Sequence, residues 1–85
     1  MAQPKLLLYI GTTCPYCKRV TDFLQSSSLK VEIKDVWEDE AAYHEMTKLT
    51  SKTQVPCLKI DDHYMHESLD IIEKLKEIEK NLKAH

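Results

Sequence analysis

Glycine is nearly absent: the 85 residues contain one, Gly11. Loops that cradle phosphate through close backbone approach need two or three glycines, so nucleotide-loop enzymes are excluded. Long hydrophobic runs are missing too. The longest, Leu6 to Ile10, is far shorter than the roughly 20 residues of a membrane span and the about 7 of a signal-peptide core, and no small-residue cleavage site follows it. The expected address is the cytoplasm, without membrane contact. An excess of one charge is also lacking, since 12 basic against 14 acidic side chains give a net charge of -2. That balance argues against a general nucleic-acid or anionic-membrane binder, although a local basic patch stays open. Three cysteines, an odd number, suit a reduced compartment better than a disulfide-stapled secreted scaffold. With 42% apolar and 31% charged residues the chain reads as a soluble globular domain with a modest core. Its length falls below the usual domain mode of roughly 100 to 150 residues, so residues 1–85 are taken as one domain, a monomer by default.

The patterning gives the order βαβαββα. Lys5 to Ile10 is apolar without a break after its lysine, as a central strand covered on both faces is. Pro15 suits the first turn of a helix that places Tyr16, Val20, Phe23 and Leu24 on one face, and the Ser26-Ser27-Ser28 cluster ends it. Val31 and Ile33 alternate with charged residues as a half-buried strand, completing a βαβ unit. A short helix from Glu38 or Asp39 carries Ala42, Met46 and Leu49. Val55 to Ile60 and His63 to His66 form a hairpin across Asp61-Asp62, and an amphipathic helix from Ser68 carries Leu69, Ile72, Leu75, Ile78 and Leu82. The expected fold is α/β, with a mixed four-stranded sheet flanked by helices. Trp37, Tyr9 and Phe23 read as core or core edge, and Tyr43 and Tyr64 as surface.

The chemistry lies in Cys14 and Cys17. A three-residue spacing where a strand feeds a helix puts Cys14 at the helix N-terminus and Cys17 one turn along on the same side, so the sulfurs can meet. Free amides and the positive helix end favour thiolate over thiol at Cys14, the nucleophile, and leave Cys17 as the resolving thiol. A Cys-Pro-x-Cys turn inside a βαβ unit is a much stronger redox signal than a bare CxxC. Half of a structural zinc site is the first bland alternative, but it needs four ligands. Only Cys57 and four scattered histidines (His44, His63, His66, His85) remain, without ligand spacing. Two buried structural thiols are the second, which the polar Thr12, Thr13 and Pro15 turn disfavours. No metal is expected.

Pro56 enters a strand, where its missing donor is tolerated only at a strand start or an edge. A trans bond has the higher base rate, since only about 5% of X-Pro bonds are cis; a cis bond would turn the Val55 backbone toward an extended peptide ligand. Cys57 reads as a small inward-facing residue, with an oxidisable thiol as the alternative.

Thr13-Cys14-Pro15-Tyr16-Cys17, then Val55-Pro56, a hairpin and a terminal helix resemble a glutaredoxin of the dithiol Cys-Pro-Tyr-Cys type with the thioredoxin fold. The redox turn is then Thr13, Pro15 and Tyr16 around the catalytic Cys14 and Cys17. Two features depart from the common pattern. Gly11 stands where many glutaredoxins carry a lysine, and Glu67-Ser68 replaces a Gly-Gly and aspartate segment. The Glu-Ser pair is similar to that of glutathione-transferase-like N-terminal domains, whose all-helical second domain is not in this sequence. The resemblance implies a cis bond before Pro56 and glutathione, as co-substrate, held by Gln54, Val55, Pro56, Glu67 and Ser68. A helix opening at Ser68 independently suits the α-carboxylate of the γ-glutamyl group, with Glu67 near its ammonium; a plain helix cap and a solvated charge are the alternative. The replaced lysine leaves Lys52, Lys18 and Arg19 as candidates for the glycyl carboxylate.

The expected function is a glutathione-dependent thiol-disulfide oxidoreductase acting on glutathionylated or disulfide-bonded proteins. Three rivals stand beside it. One is a thioredoxin-like reductant served by a reductase, which Tyr16 and Glu67-Ser68 disfavour. Another is a glutathione-ligated iron-sulfur carrier using Cys14, which Pro15 and Tyr16 crowd. A copper chaperone would need a βαββαβ order and a methionine before the cysteines.

Overall fold

The computed structural model describes residues 4–83. Its elements are β1 (Leu6–Ile10), α1 (Pro15–Gln25), β2 (Glu32–Asp35), α2 (Glu40–Thr50), β3 (Cys57–Ile60), β4 (His63–Met65) and α3 (Ser68–Lys83). The sheet runs β2-β1-β3-β4, with β1 parallel to β2 and antiparallel to β3, and β3 antiparallel to β4. This is the mixed four-stranded α/β architecture of the thioredoxin fold.

The uninterrupted apolar run of β1 follows from its place in the layers. Leu6 and Leu8 point to one face and Leu7 and Tyr9 to the other, as a strand's period of two requires. On the first face they meet Val20 of α1, Ile71, Leu75 and Ile78 of α3, and Leu58 and Ile60 of β3. On the second face Leu7 and Tyr9 pack with Val36, Ala42 and Met46 and with Cys57 of β3. Both faces are therefore covered, α1 and α3 on one side and α2 on the other.

Helix ends follow local chemistry. Asp39 caps α2, its Oδ1 accepting from the Ala41 and Ala42 amides at 3.0 and 3.3 Å. The helix stops at Ser51, in the left-handed region at φ 60°. Asp61 turns the β3–β4 hairpin at φ 51°, and its carboxylate accepts the Lys5 amide at 3.3 Å. Among the described residues no helix is long and apolar enough to cross a membrane.

Several expected burials are corrected. Trp37, expected at the core or its edge, is 53% exposed. It lies past the end of β2, where no helix covers it. Ile33 is exposed because β2 is an edge strand, paired with β1 alone. Leu49 is exposed in the last turn of α2, and Tyr16 and Leu69 are exposed at the starts of their helices. Tyr43 and Tyr64, expected at the surface, are partly buried against the second core. On α3 the buried stripe runs through Ile71, Leu75 and Ile78. Its steps of four and three residues stay on one side of a helix, whereas steps of three starting at Leu69 drift around it. His85 lies outside the described residues.

Candidate active site

Strand β1 delivers the chain to the turn 11–14, and α1 begins at Pro15, whose absent amide hydrogen costs nothing in a first helical turn. Cys14 is the N-cap. Its sulfur accepts from the Cys17 amide at 3.3 Å, a place usually taken by a serine or aspartate oxygen. The Cys14 amide itself donates to the Gly11 carbonyl at 3.2 Å, and the Cys14 thiol faces the Val55 carbonyl at 3.9 Å.

Cys17 sits one turn deeper and only 2% exposed. Its sulfur accepts the Gly11 amide at 3.4 Å. Burial pushes the Cys17 thiol up to about 12, the hydrogen bond with Cys14 adds to this, and the Gly11 amide opposes it. The two cysteines thus differ in kind: one half-exposed sulfur at a helix N-terminus, one enclosed thiol that keeps its proton. Cys57 is wholly buried on the second core face, and burial pushes it up to about 11.

The turn is braced from the β2 end. Thr12 donates to Asp35 at 2.6 Å and to Glu38 at 3.1 Å, while Asp35 also takes the amides of Trp37 and Glu38. Burial draws the Asp35 carboxyl upward, but the hydrogen bonds from Thr12, Trp37 and Glu38 outweigh it and hold the group below its ordinary value. The Trp37 indole lies directly against Gly11: a Cβ there would stand 2.4 Å from Trp37 Cε2. The absence of a lysine at position 11 therefore has a local reason, because any side chain would need the space that the indole fills.

Two clefts meet at this turn. One, of about 340 Å³, is lined by Thr13, Cys14, Pro15 and Cys17 together with Gly11 and Lys18. The other, of about 440 Å³, brings together Tyr16, Gln54, Val55, Pro56, Glu67 and Ser68, all of them expected ligand or turn residues from three separate parts of the chain. The Cys14–Val55 contact joins the two. The Val55–Pro56 bond is cis, and Pro56 is buried just before β3 begins. Ser68, in the first turn of α3, is buried, and the Glu67 carbonyl accepts the Ile71 amide at 2.8 Å.

The sequence reading missed His66, Leu69 and Asp70, which line the same cleft beside Arg19, a residue it had named only for the glycyl carboxylate. Asp70 had a signal, lying two residues after Ser68 on the same helix. His66 had none; its Nδ1 is enclosed, with no hydrogen-bond partner among the described residues. Of the cations suggested for the glycyl carboxylate, Lys18 pairs with Asp22 at 2.9 Å, Lys52 lines neither cleft, and Arg19 stands at the Ser68 end.

A helix-capping Cys-Pro-Tyr-Cys turn beside a cis-proline on a mixed β2-β1-β3-β4 sheet places the chain in the thioredoxin-fold class. Within that class the sequence is specific. The Glutaredoxin family model matches residues 6–65, and the chain belongs to the glutaredoxin family. It is 36% identical over 66 residues to Glutaredoxin 2 of Escherichia coli, covering 76% of this chain and 30% of that protein. The crystal structure of the thioredoxin-like protein BC3987 matches with a TM-score of 0.73 at 25% identity, covering 84% of this chain and 99% of that one. A glutathione S-transferase from the Antarctic clam Laternula elliptica matches with a TM-score of 0.72 at 27% identity, covering 89% of this chain and 36% of that one. The chain thus spans about a third of the length of these two larger relatives.

Proposed function

We propose that this protein is a glutathione-dependent thiol-disulfide oxidoreductase, with Cys14 as nucleophile and Cys17 as resolving thiol. The observation that carries the reading is the placement of the Cys14 sulfur: capped by the Cys17 amide, it touches the Val55 carbonyl at the mouth of a cleft that also holds Gln54, Glu67 and Ser68.

For a glutathionylated protein, the Cys14 thiolate attacks the glutathione sulfur. The new sulfur-sulfur bond forms as the old one breaks, and the protein thiolate leaves and takes up a proton. A second glutathione thiolate attacks the glutathione sulfur bound to Cys14, releasing glutathione disulfide and restoring Cys14. For a protein disulfide, Cys14 forms a mixed disulfide with one substrate sulfur. Cys17 then loses its proton, attacks the Cys14 sulfur and frees the substrate dithiol, leaving a Cys14–Cys17 disulfide that two glutathiones reduce.

In this reading Val55 pairs its backbone with the cysteinyl part of glutathione, and Glu67 with the Ser68 helix start receives the γ-glutamyl end. No metal takes part. The odd number of cysteines suits work in a reducing compartment, here read as the cytoplasm, by one domain acting as a monomer on proteins and glutathione. The test is reduction of a cysteinyl–glutathione mixed disulfide, with glutathione and glutathione reductase compared against thioredoxin reductase alone. Turnover only with glutathione is expected; turnover with the thioredoxin reductase alone would overturn the proposal.

A further inference from the structure

We propose that Arg19 is the cation that receives the α-carboxylate of the γ-glutamyl group, an inference that rests on the glutathione reading above. Helical spacing divides the basic residues of α1 between its two sides. Lys18 faces the cleft of Cys14 and Cys17 and is paired with Asp22 at 2.9 Å. Arg19, three residues after Tyr16, turns instead to the cleft that contains the start of α3. Its guanidinium carbon lies 5.9 Å from the centre of the Tyr16 ring, a cation–π contact that leaves its hydrogen-bond donors unused. It makes no ion pair among the described residues.

The charges lining this cleft are not of one sign. Arg19 shares it with two carboxylates, Glu67 and Asp70, around the buried Ser68 at the opening of α3. A ligand carrying only negative charge would meet those carboxylates, and one carrying only positive charge would meet Arg19 and the helix start. A zwitterionic α-amino acid group matches both: its carboxylate goes to Arg19 and the free amides of the helix, its ammonium to Glu67 or Asp70. Free glutathione carries such a group at its γ-glutamyl end alone, because its glycyl end is a lone carboxylate. Arg19 therefore serves the end opposite to the one first considered for it, and the guanidinium fork suits a carboxylate better than a lysine would.

The test is calorimetric binding to the reduced protein of three non-reacting ligands: S-methylglutathione, the analogue lacking the α-carboxylate (4-aminobutyryl in place of γ-glutamyl) and the analogue lacking the ammonium (glutaryl). The native protein should bind S-methylglutathione about tenfold more tightly than either analogue, as expected for one charge-assisted contact at a partly exposed site. Arg19→Gln should erase the preference over the carboxylate-free analogue and keep the preference over the ammonium-free one, and Arg19→Lys should restore part of the first. Both preferences are ratios within one variant, so a general loss of stability cannot imitate this pattern. An undiminished carboxylate preference in Arg19→Gln would overturn the assignment of Arg19. Failure of the native protein to bind any of the three would instead overturn the glutathione reading and this inference with it.

Discussion

The Cys17 amide donates to the Cys14 sulfur at 3.3 Å, while the Cys17 sulfur takes the Gly11 amide at 3.4 Å. One residue thus supplies both the amide that caps the outer sulfur and the enclosed thiol beneath it. The inner thiol loses hydration on ionising and so keeps its proton, while the outer sulfur stands less buried at the helix start.

Alkylation should follow that asymmetry. At neutral pH iodoacetamide should modify Cys14 first, because Cys17, pushed up to about 12, and Cys57, pushed up to about 11, hold almost no thiolate and little access. Peptide mapping of the carbamidomethylated protein checks this, and labelling of Cys57 ahead of Cys14 would contradict it.

Stability of the reduced protein should fall on both sides of neutrality. Cys17 and Cys57 are raised from 9.0, so their contribution is complete below pH 9 and is lost as pH rises through about 11 and 12. Glu45 is lowered from 4.5 by hydrogen bonds from Tyr9 and Lys34, and Asp35 is lowered from 3.8 as described above. Their contribution is complete above those values and is lost as pH falls through the lower folded ones. Urea midpoints across pH 2 to 11 should trace a plateau with two shoulders, and Glu45→Gln should reduce the acidic one.

Trp37 and Gly11 should be coupled. Gly11→Ala drives a Cβ to within 2.4 Å of Trp37 Cε2, so the half-exposed indole must swing away, at a cost of about 1 kcal/mol and with red-shifted fluorescence from the single tryptophan. In a Trp37→Ala background the same change should cost little, a non-additivity that a double-mutant cycle reads.

The two faces of α3 should separate by magnitude. Leu75, fully buried between sheet and α1, should cost about 2 to 5 kcal/mol as Leu75→Ala. Leu69, 63% exposed, should cost less than about 0.5 kcal/mol as Leu69→Ala in urea unfolding.

These contrasts show what a linear reading carries. The order of elements was legible because β1 is apolar on both faces, Asp39 and Pro15 mark helix starts, and Asp61-Asp62 marks a hairpin. The placement of Cys14 and Cys17 on one turn was legible because it is local, and Gln54, Val55, Pro56, Glu67 and Ser68, which family resemblance supplied, line one cleft. Positions whose environment depends on a neighbour were not legible: Ile33 on an edge strand, Trp37 beyond it, Leu49 and Leu69 at helix ends, and the cleft that Arg19 faces, which is set only once α1 lies beside the start of α3.

The most direct measurement is mass spectrometry of the Cys17→Ser variant after reaction with glutathione disulfide. Cys14 attack releases one glutathione and retains the other, and without Cys17 the adduct has no internal thiol to resolve it. The expected result is a single glutathione on Cys14, removed by added glutathione, in a variant that still deglutathionylates substrates but reduces protein disulfides poorly. An unmodified Cys14, or glutathione found on Cys57 instead, would contradict the account.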